Sequence, residues 1–237
     1  MARLLISPSA RAVGRLFGPS LDEAQYLVNW SRRHRFVYVE VPKAACSTIK
    51  LTLQRIELDD RDYTPANKHA RSRSPLLAPL SAPREFLEAL HAKDVLRFCF
   101  VRDPYSRILA AYIEKLAGDD FERDMRLAEL GFSQTPGFEE FLTVLARRGP
   151  GFDIHWARQV DLLRPDVIPY DFVGRFENFR TDFETVLARI GRDAGWIADA
   201  REHRTGASGR VKEIGTQARA LIAEIYAEDF KRYGYSI

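Results

Sequence analysis

The 237-residue chain can bury a sizeable core as one large α/β domain, and its 46% hydrophobic and 29% charged composition is that of a soluble globular protein. No apolar run approaches the roughly 18 residues that would span a bilayer, and a net charge of +3 is too small to imply a nucleic-acid partner. Two cysteines, Cys46 and Cys99, leave neither a disulfide framework nor a CxxC metal site, so a reducing, cytoplasmic setting is expected.

Residues 1–34 read as an N-terminal arm and helix, with a single domain following over 35–237. Residues 1–18 lack periodicity, carry Arg3, Arg11 and Arg15, and hold only the brief apolar patch Leu4-Leu5-Ile6, too short for a secretory signal. Ser20-Leu21-Asp22-Glu23 is a capping box that opens a helix expected to run to about Arg33.

The run Phe36-Val37-Tyr38-Val39-Glu40-Val41 predicts a strand, Pro42 to Thr48 a turn of small residues, and Ile49, Leu53 and Ile56 a helix. Small side chains at Ala44, Ala45, Cys46 and Ser47 let backbone N–H groups face an anion at the positive end of that helix. Lys43 adds a point charge, and Ser47 and Thr48 add hydroxyls. The ordinary P-loop signature is absent, because Lys43 precedes the small residues. By itself the stretch is equally an ordinary α/β connection.

Tyr63 to Pro83 is a long proline-containing loop with Lys68, His69, Arg71 and Arg73. It is either a solvated loop or one that brings His69 to a substrate. A short helix at Glu85 to His91 precedes the apolar run Val95 to Val101, a buried strand. That strand ends in Arg102-Asp103-Pro104. Asp103 suits a helix N-cap and Pro104 the first helical position, which puts Arg102 at the carboxyl end of the strand where open α/β sheets bind ligands. Tyr105, Ile108, Leu109, Tyr112 and Leu116 mark the next helix, on which Arg107 has no packing role that leucine would not fill better.

After the charged stretch Gly118 to Gln134, Phe138, Phe141, Leu142 and Leu145 share a helix face. Asp153-Ile154-His155-Trp156-Ala157-Arg158-Gln159 is a polar-aromatic cluster in which His155 is either a structural histidine or a working one. Tyr170 to Phe176 reads as a third strand, and Phe179 to Ile190 as a helix stopped by Gly191. Residues 200–214 are a basic, glycine-containing loop, and Ala218 to Phe230 form the closing helix. The expected fold is a three-layer α/β/α domain whose central parallel sheet contains 36–41, 95–101 and 171–176.

Together the two turns resemble the nucleotide-binding motifs of sulfotransferases. Pro42 to Lys50 is similar to the 5′-phosphosulfate loop and Val101 to Lys115 to the 3′-phosphate motif. The nearest likeness is to carbohydrate sulfotransferases of the chondroitin/dermatan and HNK-1 type, with their soluble bacterial cousins. It extends over roughly 35–237 through the His69 loop, Asp153 to Trp156 with Gln159, Tyr170 to Glu177, and Ile225 to Phe230. The resemblance implies a P-loop nucleotide-triphosphate-hydrolase-like fold and the donor 3′-phosphoadenosine 5′-phosphosulfate (PAPS). Lys43, Ala44, Ala45, Cys46, Ser47 and Thr48 would hold the 5′-phosphosulfate, and Arg102 the 3′-phosphate with help from the basic loop around Arg210.

At Ala110 the motif commonly has a serine, so that hydrogen bond is missing or comes from elsewhere, with Ser106 the candidate. Lys43 would neutralise the leaving oxygen, and a histidine would take the proton of a carbohydrate or other hydroxyl acceptor: His69 first, His155 second. No metal is called for. The family's Golgi members carry a membrane anchor that is not seen in this sequence, from which a cytoplasmic, bacterial setting is expected. Two other readings stay open: a P-loop kinase of a small metabolite, and a non-catalytic module that binds a nucleotide or sulfated ligand.

Overall fold

A computed structural model describes residues 7–199 and 206–237. In chain order it forms α1 (Pro8–Phe17), α2 (Leu21–Leu27), β1 (Val28–Ser31), β2 (Phe36–Val39), α3 (Cys46–Leu58), α4 (Pro83–Ala89), β3 (Leu96–Val101) and α5 (Pro104–Tyr112). A π-helical turn (Ile113–Ala117) follows, then α6 (Arg123–Leu130), α7 (Phe138–Arg148), α8 (Gln159–Leu163), β4 (Phe172–Arg175) and α9 (Phe179–Arg189). The chain closes with α10 (Ala207–Arg210), α11 (Thr216–Ile225) and α12 (Ala227–Tyr233). Two compact units result. One gathers the described residues of 1–41, 45–100 and 162–200, the other those of 42–44, 101–161 and 201–237.

In the first unit a four-stranded sheet, counted among the described residues, runs in the order β1-β2-β3-β4 with helices flanking it. β2 and β3 pair in parallel, Phe36 opposite Leu96 and Val39 opposite Cys99, as the apolar runs predict. Aromatic rings knit the strands: Tyr38 stacks on Phe98 at 5.1 Å and Phe100 meets Phe183 edge-on at 5.9 Å. Each such buried side chain contributes roughly 1.5–3 kcal/mol of transfer free energy. Gly174 of β4 is required by close approach, since a Cβ there would lie 2.4 Å from the Phe100 ring.

Two expectations are corrected in this unit. The helix opening at Ser20 stops at Leu27 rather than Arg33, and Val28 to Ser31 form a strand antiparallel to β2. Trp30 also exchanges backbone hydrogen bonds with Leu77 at 3.0 and 2.9 Å. Pairing on both sides outweighs continuation of the helix, so the sheet is mixed at this edge. Residues 8–17 are a helix rather than a loose arm: Ser7 caps it, and Val13 and Phe17, four residues apart, are buried. The Leu4-Leu5-Ile6 patch lies outside the described residues. Most of the long 63–83 loop is pinned, with the Trp30 indole donating to the Ala78 carbonyl at 3.0 Å and Leu76 and Pro79 buried.

The second unit is helical. Its core joins Ile108, Leu109, Leu116, Phe141, Leu142, Trp156, Ile222 and Phe230, with Phe141 5.5 Å from Trp156 and Tyr105 5.1 Å from Phe230. Asp103 and Pro104 open α5 as their residue types predict, the Asp103 carboxylate accepting the Ser106 N–H at 2.9 Å. Residues 207–210, expected in a loop, form the short α10, and residues 200–205 of that loop lie outside the described residues.

Candidate active site

In the first unit, the turn after β2 leads into α3 through Ala45, which caps the helix in the left-handed conformation at φ 62°. The Ile49 N–H donates to the Ala45 carbonyl at 3.1 Å. The N–H groups of Cys46, Ser47 and Thr48 therefore precede the helix's own ladder, at the end where the macrodipole favours an anion. The Ser47 hydroxyl meets His69 Nε2 at 3.0 Å, which brings two of the expected site residues together. Asn67 accepts the His69 N–H at 2.8 Å, and Gln54 donates to the Lys68 carbonyl at 3.0 Å, fixing the histidine loop on α3. Glu40 lies behind, one oxygen 3.9 Å from His69 Nδ1 and the other 2.6 Å from Lys50 Nζ. Glu40 and Lys50 are both buried, and their contact is an ion pair whose angle departs from hydrogen-bond alignment.

The second unit holds Lys43, Ala44, Arg102, Ser106, Ala110, His155 and Arg210. Lys43 is left-handed at φ 71°, its ammonium pairs with Glu114 on the π-helical turn, and Glu114 lies 3.3 Å from Lys115. Ala44 is buried. Arg102 is a tether as well as a charge. Its Nη1 donates to the Lys43 carbonyl at 2.9 Å, its Nε to Ser106 Oγ at 3.0 Å and its Nη2 to Ser208 Oγ at 3.0 Å. Gln159 brackets the Arg102 backbone, accepting its N–H at 2.9 Å and donating to its carbonyl at 2.8 Å. The buried Asp229 carboxylate in turn accepts the N–H groups of Gln159 and Val160 at 2.8 and 2.9 Å. Arg107, fully buried, donates to the carbonyls of Pro42 (3.1 Å), Ala157 (2.8 Å) and Ile154 (3.3 Å). One guanidinium thus fastens both the residue before Lys43 and the turn that carries His155.

His155 Nδ1 lies 2.7 Å from Asp153 Oδ1, and its backbone N–H donates to the same oxygen at 2.8 Å. Asp153 Oδ2 accepts from Arg126 Nε at 3.1 Å, and Arg126 also binds Asp120 at 2.6 Å and Glu122. Burial lowers the His155 pKa from its ordinary value and Lys115 and Lys43 push the same way, outweighing the attraction of Asp153. A neutral imidazole at pH 7 follows. Burial alone would raise Asp153, but hydrogen bonds from the His155 side chain and backbone N–H and from Arg126 carry it down to about 2.

Two expected residues stand differently. Ala110 is packed inside the apolar core, and Arg210 is exposed with its guanidinium on Glu213 at 3.2 Å. Ser208, two residues earlier, makes the contact to Arg102. Sequence reading misses Arg126, Glu114 and Ser208 as members of the site, and names Arg107 without a role. Only the Glu122/Arg126 spacing of four residues hints at a pair, and it looks like any solvated helix face. The second unit thus ties Lys43 and Arg102 to one turn and, through Arg107, to the turn that carries the His155–Asp153 pair.

The chain is similar to known carbohydrate sulfotransferases. Human carbohydrate sulfotransferase 14 is 35% identical over 87% of this chain and 59% of its own length. Rat carbohydrate sulfotransferase 11 is 28% identical over 86% of this chain and 65% of its own length, and mouse carbohydrate sulfotransferase 14 is 36% identical over 66% and 44%. The chain thus spans about half to two thirds of the length of these curated relatives. No solved structure matches significantly. The model of the sulfotransferase family matches residues 27–236, and the chain belongs to that family.

Proposed function

We propose that this protein transfers the sulfuryl group of PAPS to a hydroxyl of a carbohydrate. The observation that carries the reading is the joining of Lys43 to the strand-end Arg102, with Arg107 locking the same turn through the Pro42 carbonyl. Two phosphate-sized charges on one donor need two cationic points at fixed separation, and backbone tethers supply that more stiffly than side-chain packing. The carbohydrate names of the relatives support the acceptor class. Residues 43–48 hold the 5′-phosphosulfate, Arg102 the 3′-phosphate, and Ser106 and Ser208 orient Arg102.

In the reaction a histidine takes the acceptor's hydroxyl proton as the acceptor oxygen bonds to sulfur. The bond from sulfur to the 5′-phosphate oxygen breaks, and Lys43 neutralises the charge left on 3′-phosphoadenosine 5′-phosphate. His69 and His155 are the two candidate bases. We read residues 35–237 as one sulfotransferase domain after an N-terminal segment, working in the cytoplasm, a setting supported by two free cysteines.

The test incubates the protein with sulfur-labelled PAPS and a panel of glycans, lipids and small alcohols in the presence of a magnesium chelator. Label in a glycan is expected. Labelling of lipids or alcohols alone overturns the carbohydrate assignment. Binding of 3′-phosphoadenosine 5′-phosphate without any transfer leaves a binding module, and magnesium-dependent phosphoryl transfer from ATP makes it a kinase.

A further inference from the structure

We infer that Arg126 and Asp153 are positioning residues that hold His155 as the general base. The inference rests on the sulfotransferase reading above and deepens it.

An ionised Asp153 only accepts hydrogen bonds, so the His155 nitrogen 2.7 Å from it must carry the proton. That fixes the Nδ1–H tautomer and leaves the Nε2 lone pair to accept a proton from a substrate hydroxyl. Asp153 is itself held from the far side. Arg126 is only 4% exposed, and its guanidinium is shared by Asp153, Asp120 and Glu122. Asp120 also takes Lys115 at 2.7 Å. Three acceptors around one planar donor leave the guanidinium a single orientation, and that orientation sets Asp153.

The charged groups bearing on His155 are Asp153 on its own turn, Lys115 on the π-helical turn and Lys43 on the loop. Lys43, which the reading above assigns to the leaving oxygen, therefore acts on the same imidazole. His69 is engaged differently, its Nε2 on the Ser47 hydroxyl of the donor turn. Arg126 sits in a charged stretch that sequence reading passes over, and its role appears only through Asp153, 27 residues away.

Histidine-selective nitrogen NMR on the full chain, with pH titration, tests the inference independently of turnover. It is paired with kcat measured against pH. Wild type should show His155 as the Nδ1–H tautomer. Asp153→Asn removes the carboxylate, so the His155 pKa and the acid limb of kcat should move down, with kcat lowered by up to about 10²-fold. Arg126→Gln removes a cation that balances Asp153, so both should move up; Arg126→Lys, which keeps the charge, should restore the wild-type limb.

Opposite shifts are a signature that a merely structural role would not give. Affinity for 3′-phosphoadenosine 5′-phosphate reports that each variant is folded. Should the Arg126 variants fail to fold, the nearly isosteric Asp153→Asn decides alone. An Nε2–H tautomer in wild type, or a folded Asp153→Asn with unchanged tautomer and pH profile, overturns the inference. Correct NMR signatures in a protein that moves no sulfuryl group overturn the functional reading instead.

Discussion

Lys50 shows what a single buried charge demands. Its ammonium and the Glu40 carboxylate are 1% and 2% exposed and 2.6 Å apart, with the Tyr26 ring 5.0 Å from the ammonium. Desolvating two charges costs nearly as much as their attraction returns, but removing one partner strands the other. Lys50→Met should therefore destabilise the fold by about 3–5 kcal/mol, whereas adding Glu40→Leu should recover most of the loss. Urea unfolding of the two variants reads the difference, and equal losses in both would show that the pair is not coupled. Lys50 itself is visible in the sequence as the fifth residue of a helical segment, but nothing local announces that its partner is Glu40, just past the preceding strand. The same holds for Arg126: residue type and helix face are legible, whereas a partner 27 residues away is a fact of tertiary structure.

Elements built from strong local signals were the most legible. β2, β3 and β4 follow their β-branched and aromatic runs, and the Asp103-Pro104 start of α5 follows its capping chemistry. β1 was not legible, because Ala24, Leu27 and Val28 continue a helical pattern and only the pairing with β2 and Leu77 selects a strand. Nor was α1, whose two buried residues lie among arginines. The turn between β2 and α3 combines both cases. Its small residues are legible, but the left-handed conformations of Lys43 and Ala45 are not, since neither residue type favours positive φ. Such strain is held in place by surrounding contacts, here the hydrogen bonds of Arg102 and Arg107 to the carbonyls of Lys43 and Pro42. Ala45→Gly should relax it and raise stability by about 0.5–1 kcal/mol. Thermal denaturation checks this, and a destabilised variant would mean that the Ala45 methyl packs rather than strains.

At the scale of the molecule, the two sulfotransferase-like motifs were legible as motifs, and the family match over residues 27–236 agrees with them. What the sequence did not disclose is the way the contacts group. Ser47 and His69 belong to the first compact unit, while Lys43, Arg102 and the His155–Asp153 pair belong to the second. Among the described residues no helix is long and apolar enough to cross a membrane. Lys43 and Arg102 are the two proposed anchors of the donor, and calorimetric binding of 3′-phosphoadenosine 5′-phosphate tests that proposal most directly. Lys43→Ala and Arg102→Ala should each weaken binding by about ten- to a hundred-fold, the loss of one charge-assisted contact. Wild-type affinity in both variants would contradict it.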